Sequence, residues 1–351
     1  MRLRPDPEQR AFAASLDALL SAADLPGVAR EWGRGEHARG RALWSRIADA
    51  GVFALAVPEA YEGLGPRPAE LALAFVELGR HAVPGPLVET VATAALLSAL
   101  PDPAPAAHHL PPLARGETLA TLTPPDPTPL TPPTPPTPPD PTPLTTARGG
   151  GSTHLALDGD AAALRLALSP EGLRLSPGHG PVRPSLDPAR RLTPLLPGGE
   201  LLCADPPLGA AVAWARLATA AQALGVGLAL LERTVEQVRR RTQFGVPVGS
   251  FQAVKHRLAD AKIALEFARP LVLGAALTMD PADVAAAKVS ACEAAYGTAL
   301  TALHLHGAIG YTAELDLSLW LTKARALRHA WGTPEQCRAE VLAGHGGRAG
   351  R

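Results

Sequence analysis

The segment RRTQFGVPVGSFQAVKHRLAD, residues 240–260, interrupts an otherwise helical C-terminal half. Upstream of it, Leu217, Leu224, Leu228, Leu231, Val235 and Val238 recur at intervals of seven, four, three, four and three, the apolar stripe of one long helix in a bundle. That helix ends at Arg239 to Arg241, a Phe-Gly-x-Pro turn follows, and Phe251-Gln252 opens a second helix running to about 277. Further helices are expected over 281–305 and 314–330. The turn gathers Arg241, Gln243, Phe244, Gln252 and His256 at one corner. A cation, amides, an imidazole and an aromatic face together suit a phosphate joined to a flat ring system.

A second segment, LHLHGAIGYTAELDLSLWLTKARAL at 303–327, carries small residues where one helix should end and another begin. Gly307, Ala308 and Gly310 allow close backbone approach, and Glu314 and Asp316 precede the restart. Small residues at a helix terminus can cradle a pyrophosphate or simply make a turn. His304 and His306 lie two apart, so on a helix they point to different faces and no metal site is expected.

The first 118 residues read as a helical domain. Phe12, Leu16, Leu19 and Leu20 form one helical stripe; Leu43, Ile47 and Ala50 form another that stops at Gly51; Leu71, Phe75 and Leu78 mark a helix over 68–82. Residues 119–207 read as a reduced β domain. Short apolar runs at 153–157, 162–168 and 172–176 are split by Asp158-Gly159 and Glu171-Gly172, two hairpin-like signals. Within this domain lies a Pro-rich insertion, 123–145, in which PDPTPLT occurs at 125–131 and again at 139–145. Proline fixes φ and removes the amide donor, so a polyproline-II or disordered tract is expected there. The bundle occupies 208–344, and 345–351 form a tail.

Composition excludes several classes. The 33 basic residues balance 33 acidic ones, which disfavours a general attraction to nucleic acid or acidic lipid. Cys203, Cys292 and Cys337 are too few and too scattered for a disulfide framework or a zinc site. No signal peptide or membrane span is read, so the expectation is a cytoplasmic protein. The phosphate-binding glycine loop, the H-E-x-x-H metal helix and the G-x-S-x-G elbow are all absent.

The two C-terminal segments, in this order, resemble the C-terminal domain of acyl-CoA dehydrogenases. The family pattern R-x-x-F-G-x-P…F-Q-x-x-x-H-x-[LM]-A-[DE] is matched from Arg241 to Asp260. The later Q-[LIV]-H-G-G-x-G-[FY]-T-x-E is matched with His304 in place of Gln and Ala308 in place of the second Gly. WSRIADAGVFALAVPEAYEGLG, 44–65, and VELGRHAVPGPLVET, 76–90, resemble the family's N-terminal helices and turns. The resemblance implies a mainly α fold: an N-terminal helical domain, a middle β domain reduced in this chain, and a C-terminal four-helix bundle.

It also implies FAD as cofactor and an acyl-CoA thioester as substrate, in fatty acid or steroid side-chain oxidation, with electron-transfer flavoprotein as the acceptor. Family members use a Glu to take the α proton while a β hydride passes to the flavin. By resemblance, Arg241, Gln243, Phe244, Gln252, His256, His304, Gly307, Ala308 and Gly310 would contact the adenine-diphosphate half of a FAD held mainly by a neighbouring subunit. The two family positions for the Glu correspond here to Trp331, in His329-Ala330-Trp331-Gly332-Thr333, and to Ala215, 26 residues before Arg241. Neither side chain can abstract a proton. The β strands that hold the flavin ring have no counterpart in 119–207. The chain therefore reads as a degenerate subunit paired with a longer, complete homologue in a hetero-oligomer. Two alternatives stay open: a homo-oligomeric enzyme with a relocated base, for which Glu232, Glu236 and Glu293 are the candidates, and a non-enzymatic bundle protein.

Overall fold

A computed structural model of the chain describes residues 4–125, 155–312 and 314–346. The expected Pro-rich tract lies outside the described residues from 126 onward. The N-terminal part contains α1 (Pro7–Ser21), α2 (Leu25–Gly33), α3 (Ala38–Asp49), α4 (Pro68–Arg80), α5 (Leu87–Ser98) and α6 (Ala104–Ala114). Helix α1 starts on a reciprocal cap: Asp6 accepts from the Gln9 amide and the Gln9 side chain accepts from the Asp6 N–H. Leu71, Phe75 and Leu78 face inward from α4, as their spacing predicts.

A four-stranded sheet follows in the order β1 (Ala120–Leu122), β3 (Leu164–Ser169), β4 (Gly172–Leu175), β6 (Leu201–Cys203). β2 (Leu155–Leu157) and β5 (Leu192–Pro194) pair separately and antiparallel. The Glu171-Gly172 signal is a real hairpin between β3 and β4. The expected hairpin at Asp158-Gly159 is not. Asp158 takes a left-handed φ of 52° and passes the chain from the β2–β5 pair into the larger sheet, where β3 runs parallel to β1.

The C-terminal part consists of α7 (Leu208–Arg240), a two-residue ribbon β7 (Thr242–Gln243) and β8 (Val246–Pro247), then α8 (Gln252–Thr278), α9 (Pro281–His306), α10 (Leu317–His329) and α11 (Pro334–Gly346). The expected fourth helix starts three residues later than 314, and a further short helix, α11, docks on α9. By length and hydropathy α7 could cross a membrane, but 78% of its most apolar window is buried inside the fold. It is the central core helix, packed against α4, α5, α8, α9 and α10. Two glycines make that packing close. A Cβ on Gly79 would lie 2.0 Å from the Gln222 carbonyl, and one on Gly225 would lie 1.9 Å from that of Val76. Helices α4 and α7 therefore meet backbone to backbone, which only glycine permits.

Candidate functional site

Helix α7 stops because Arg241 turns extended, at φ −74° and ψ 122°. The β7–β8 ribbon reverses the chain through Phe244 and Gly245, both left-handed at φ 54° and 79°. This turn holds Phe244 out to solvent at 93% exposure, 6.4 Å from the Phe251 ring and edge-on to it. Gln243, Gln252 and His256 are exposed around it.

The second segment meets this corner. Helix α9 ends at His306, and the Arg241 Nη1 donates to the His306 carbonyl at 3.1 Å. A side chain on Gly307 would place its Cβ 3.3 Å from the same guanidinium, at a left-handed φ of 67°. His304 and Ala308 are exposed beside it and Gly310 is buried beneath. His306 is buried, with Nδ1 bonded to the Ala302 carbonyl at 2.8 Å, so the two histidines diverge as their spacing predicts. The structure thus joins both motifs in one open surface carrying a cation, amides, an imidazole and an aromatic face.

At the opposite end of α7, roughly 40 Å from the Arg241 corner by the rise of the helix, lies a separate cavity of about 760 Å³. The start of α7, the 329–333 loop, α11 and Pro124-Pro125 line it. Trp331 forms part of its wall. The indole Nε1 donates to Glu89 Oε1 on α5 at 3.2 Å, and both residues are buried. Trp331 sits at φ 58°, a left-handed conformation that is uncommon for any bulky residue. Anchors on two helices hold the loop there. Arg216 Nε donates to the Trp331 carbonyl at 3.0 Å, and its Nη1 pairs with Glu340. The fully buried Lys288 donates to the carbonyls of Arg328, at 2.7 Å, and Gly332. It thereby satisfies a carbonyl left unpaired at the end of α10. Burial, then the Arg328 and Lys288 charges, push the His329 imidazole below its ordinary range and favour its neutral form.

Ala215 is fully buried in the core of α7. The three candidate relocated bases are engaged elsewhere. Glu232 pairs with Arg80 at 2.9 Å, Glu236 with Arg240, and Glu293 with Arg328 at 2.7 Å; none of them lines the cavity with Trp331. The carboxylate that does line it, Glu340, is the one paired with Arg216. Sequence reasoning missed Glu89, Arg216, Lys288 and Glu340. Of these, Lys288 carries a visible signal: a lone lysine within the apolar run AAAKVSA of a core helix.

The protein is thus mainly helical, with a polar and aromatic corner open to solvent at one end of α7 and a cavity walled by apolar and hydrogen-bonding groups at the other. Residues 208–344 match the acyl-CoA dehydrogenase C-terminal domain and residues 6–117 match its N-terminal domain. The chain belongs to the acyl-CoA dehydrogenase family. Acyl-CoA dehydrogenase IpdE2 of Mycobacterium tuberculosis is 29% identical over 337 residues, covering 95% of this chain and 96% of that protein. A chain of the ChsE4-ChsE5 complex of Mycobacterium tuberculosis superposes with a TM-score of 0.78 at 23% identity, covering 98% of both chains. The FAD complex of PigA gives 0.76 at 17% identity, covering 99% of this chain and 100% of that one.

Proposed function

We propose that this chain is a subunit of a FAD-dependent acyl-CoA dehydrogenase, presenting its Arg241 corner to the adenine-diphosphate half of a FAD held mainly by a longer, catalytic homologue. The observation that carries this reading is the indole of Trp331 hydrogen-bonded to a buried carboxylate, at a position that, by resemblance of the sequence, corresponds to the family's base. A positioned general base contributes 10²–10⁴-fold, typically, and an indole N–H is no base at neutral pH.

The donor set fits the group. The Arg241 guanidinium spends Nη1 on the His306 carbonyl and keeps its remaining N–H groups for phosphate oxygens. Gln243 and Gln252 offer amides, His256 and His304 imidazoles, and Phe244 an uncovered ring face. Gly307, Ala308 and Gly310 keep the approach shallow. FAD, when bound, supplies the acceptor for the β hydride, and electron-transfer flavoprotein is the natural onward acceptor. The acyl-CoA then reacts at the partner's base, and the work of this chain is to bind and orient.

A flavin titration tests the reading. The isolated chain should be colourless, and the co-expressed pair should contain one FAD per two unlike subunits. An isolated chain that purifies yellow, and whose flavin bleaches on adding an acyl-CoA, would show a complete active site and overturn it.

A further inference from the structure

Glu89 is bonded to the Trp331 indole, yet it does not line the cavity that Trp331 helps to wall. The indole therefore stands between the cavity and α5. Trp331 belongs to the main buried cluster of the fold, which is largely aliphatic, and Val284 lines the cavity beside it. Glu89 has a single hydrogen-bonding role among the described residues. Its Oε1 accepts the indole N–H, its Oε2 has no hydrogen-bond partner, and Arg190 stands 4.0 Å away. A buried carboxylate with one donor is an expensive way to fill a core. So is a tryptophan in the left-handed region, held there by Arg216 and Lys288.

We infer that Trp331 is a plug: its indole fills an aliphatic chamber behind the cavity, Glu89 seats it, and the chamber would otherwise accept the acyl chain of a CoA thioester. The inference rests on the proposed non-catalytic role and extends it. The chain is then deficient in two separate ways, lacking a base and lacking room, and acyl-CoA is directed to the partner's site alone. Glu89 acts through Trp331 and is a positioning residue. An indole N–H is the donor that fits it, so phenylalanine would preserve the bulk and lose the seat.

The test counts ligands on the full chain in its assembly with the partner. The probe is S-octyl-CoA, a thioether without the carbonyl that makes an α proton acidic, titrated calorimetrically. The wild-type pair should bind one equivalent. Trp331→Gly, which also suits the left-handed backbone, should bind two, the new site at least tenfold tighter than any residual binding to this chain in the wild type. Trp331→Leu, which keeps a buried apolar group, should give the second equivalent with lower affinity and decides the matter if the glycine variant does not fold. Trp331→Phe should remain at one. A wild-type pair that already binds two equivalents overturns the plug, and so do folded glycine and leucine variants that stay at one. Flavin bleaching of the isolated wild-type chain tests the non-catalytic role separately, because it does not depend on what lies behind Trp331.

Discussion

Arg241 and His306 are joined by a 3.1 Å hydrogen bond from a guanidinium to the last carbonyl of α9, 65 residues away. The carbonyl end of a helix carries partial negative charge, so this contact holds the cation in place without neutralising it. Arg241→Ala should therefore weaken FAD retention in the assembled protein. A charge-assisted hydrogen bond contributes about 1.5–3 kcal/mol, which corresponds to roughly tenfold or more in affinity. Arg241→Lys should recover part of this, because a point charge replaces a planar fork. Flavin fluorescence released on dilution measures both variants; full occupancy in both would make Arg241 a helix-end residue and nothing more.

Trp331 offers an unusual ordering of substitutions. Truncating a buried Trp to Ala costs about 3–5 kcal/mol. Glycine normally costs more than alanine, but at φ 58° it relieves a backbone that no side chain favours. In urea unfolding, Trp331→Gly should be at least as stable as Trp331→Ala. The reverse order would mean that the loop relaxes out of the left-handed region once the indole is gone.

Lys288→Met removes the ammonium while preserving its stem, leaving the Arg328 and Gly332 carbonyls without their donor. Each buried carbonyl so orphaned costs about 1–3 kcal/mol. The expected result is a lower melting temperature, with faster amide hydrogen exchange concentrated at 329–333. A uniform loss across the bundle would instead indicate a simple packing role.

Asp158 supplies a pH dependence. Burial pushes its carboxyl up to about 8, against the opposing pull of the Trp32 indole and the Arg191 backbone N–H. Unfolded, the same group titrates near 3.8. Between those values the folded chain holds a proton that the unfolded chain releases, so this contribution to stability is full at acid pH and is lost as pH rises towards 8. Asp158→Asn keeps an acceptor for the Arg191 N–H and tolerates φ 52°. It should flatten the fall in melting temperature between about pH 4 and 8 and exceed the wild type at the alkaline end. Parallel melting curves for the two proteins across that range would contradict it.

The legible parts of the fold share a cause. Helix α4 announces itself because Leu71, Phe75 and Leu78 repeat at the helix period on a half-exposed surface. Helix α5 does not, being buried from Leu87 to Leu97 on every side and so without an amphipathic pattern. Helix α6 is disguised by Pro111 and Pro112, and Asp158-Gly159 imitates a hairpin although its neighbours in the sheets are remote in sequence. The Arg241 corner was readable because most of its groups lie within sixteen residues, Arg241 to His256, of one contiguous motif. The anchors of Trp331 were not: Glu89 lies 242 residues from it and Arg216 115, and no local pattern records such pairings.

The join between β1 and β2 has a practical consequence. Thr121 Oγ1 donates to the Leu157 carbonyl at 2.6 Å, pinning together the two ends between which the Pro-rich tract is inserted. Where both ends are fixed by the fold, the length of chain between them matters little, since doubling a loop costs only about 0.6 kcal/mol. The join is thus a ready splice point. A fluorescent reporter or an affinity handle exchanged for 126–145 would emerge next to Pro125, one of the residues lining the cavity, and could report on what enters it without disturbing either helical half of the protein.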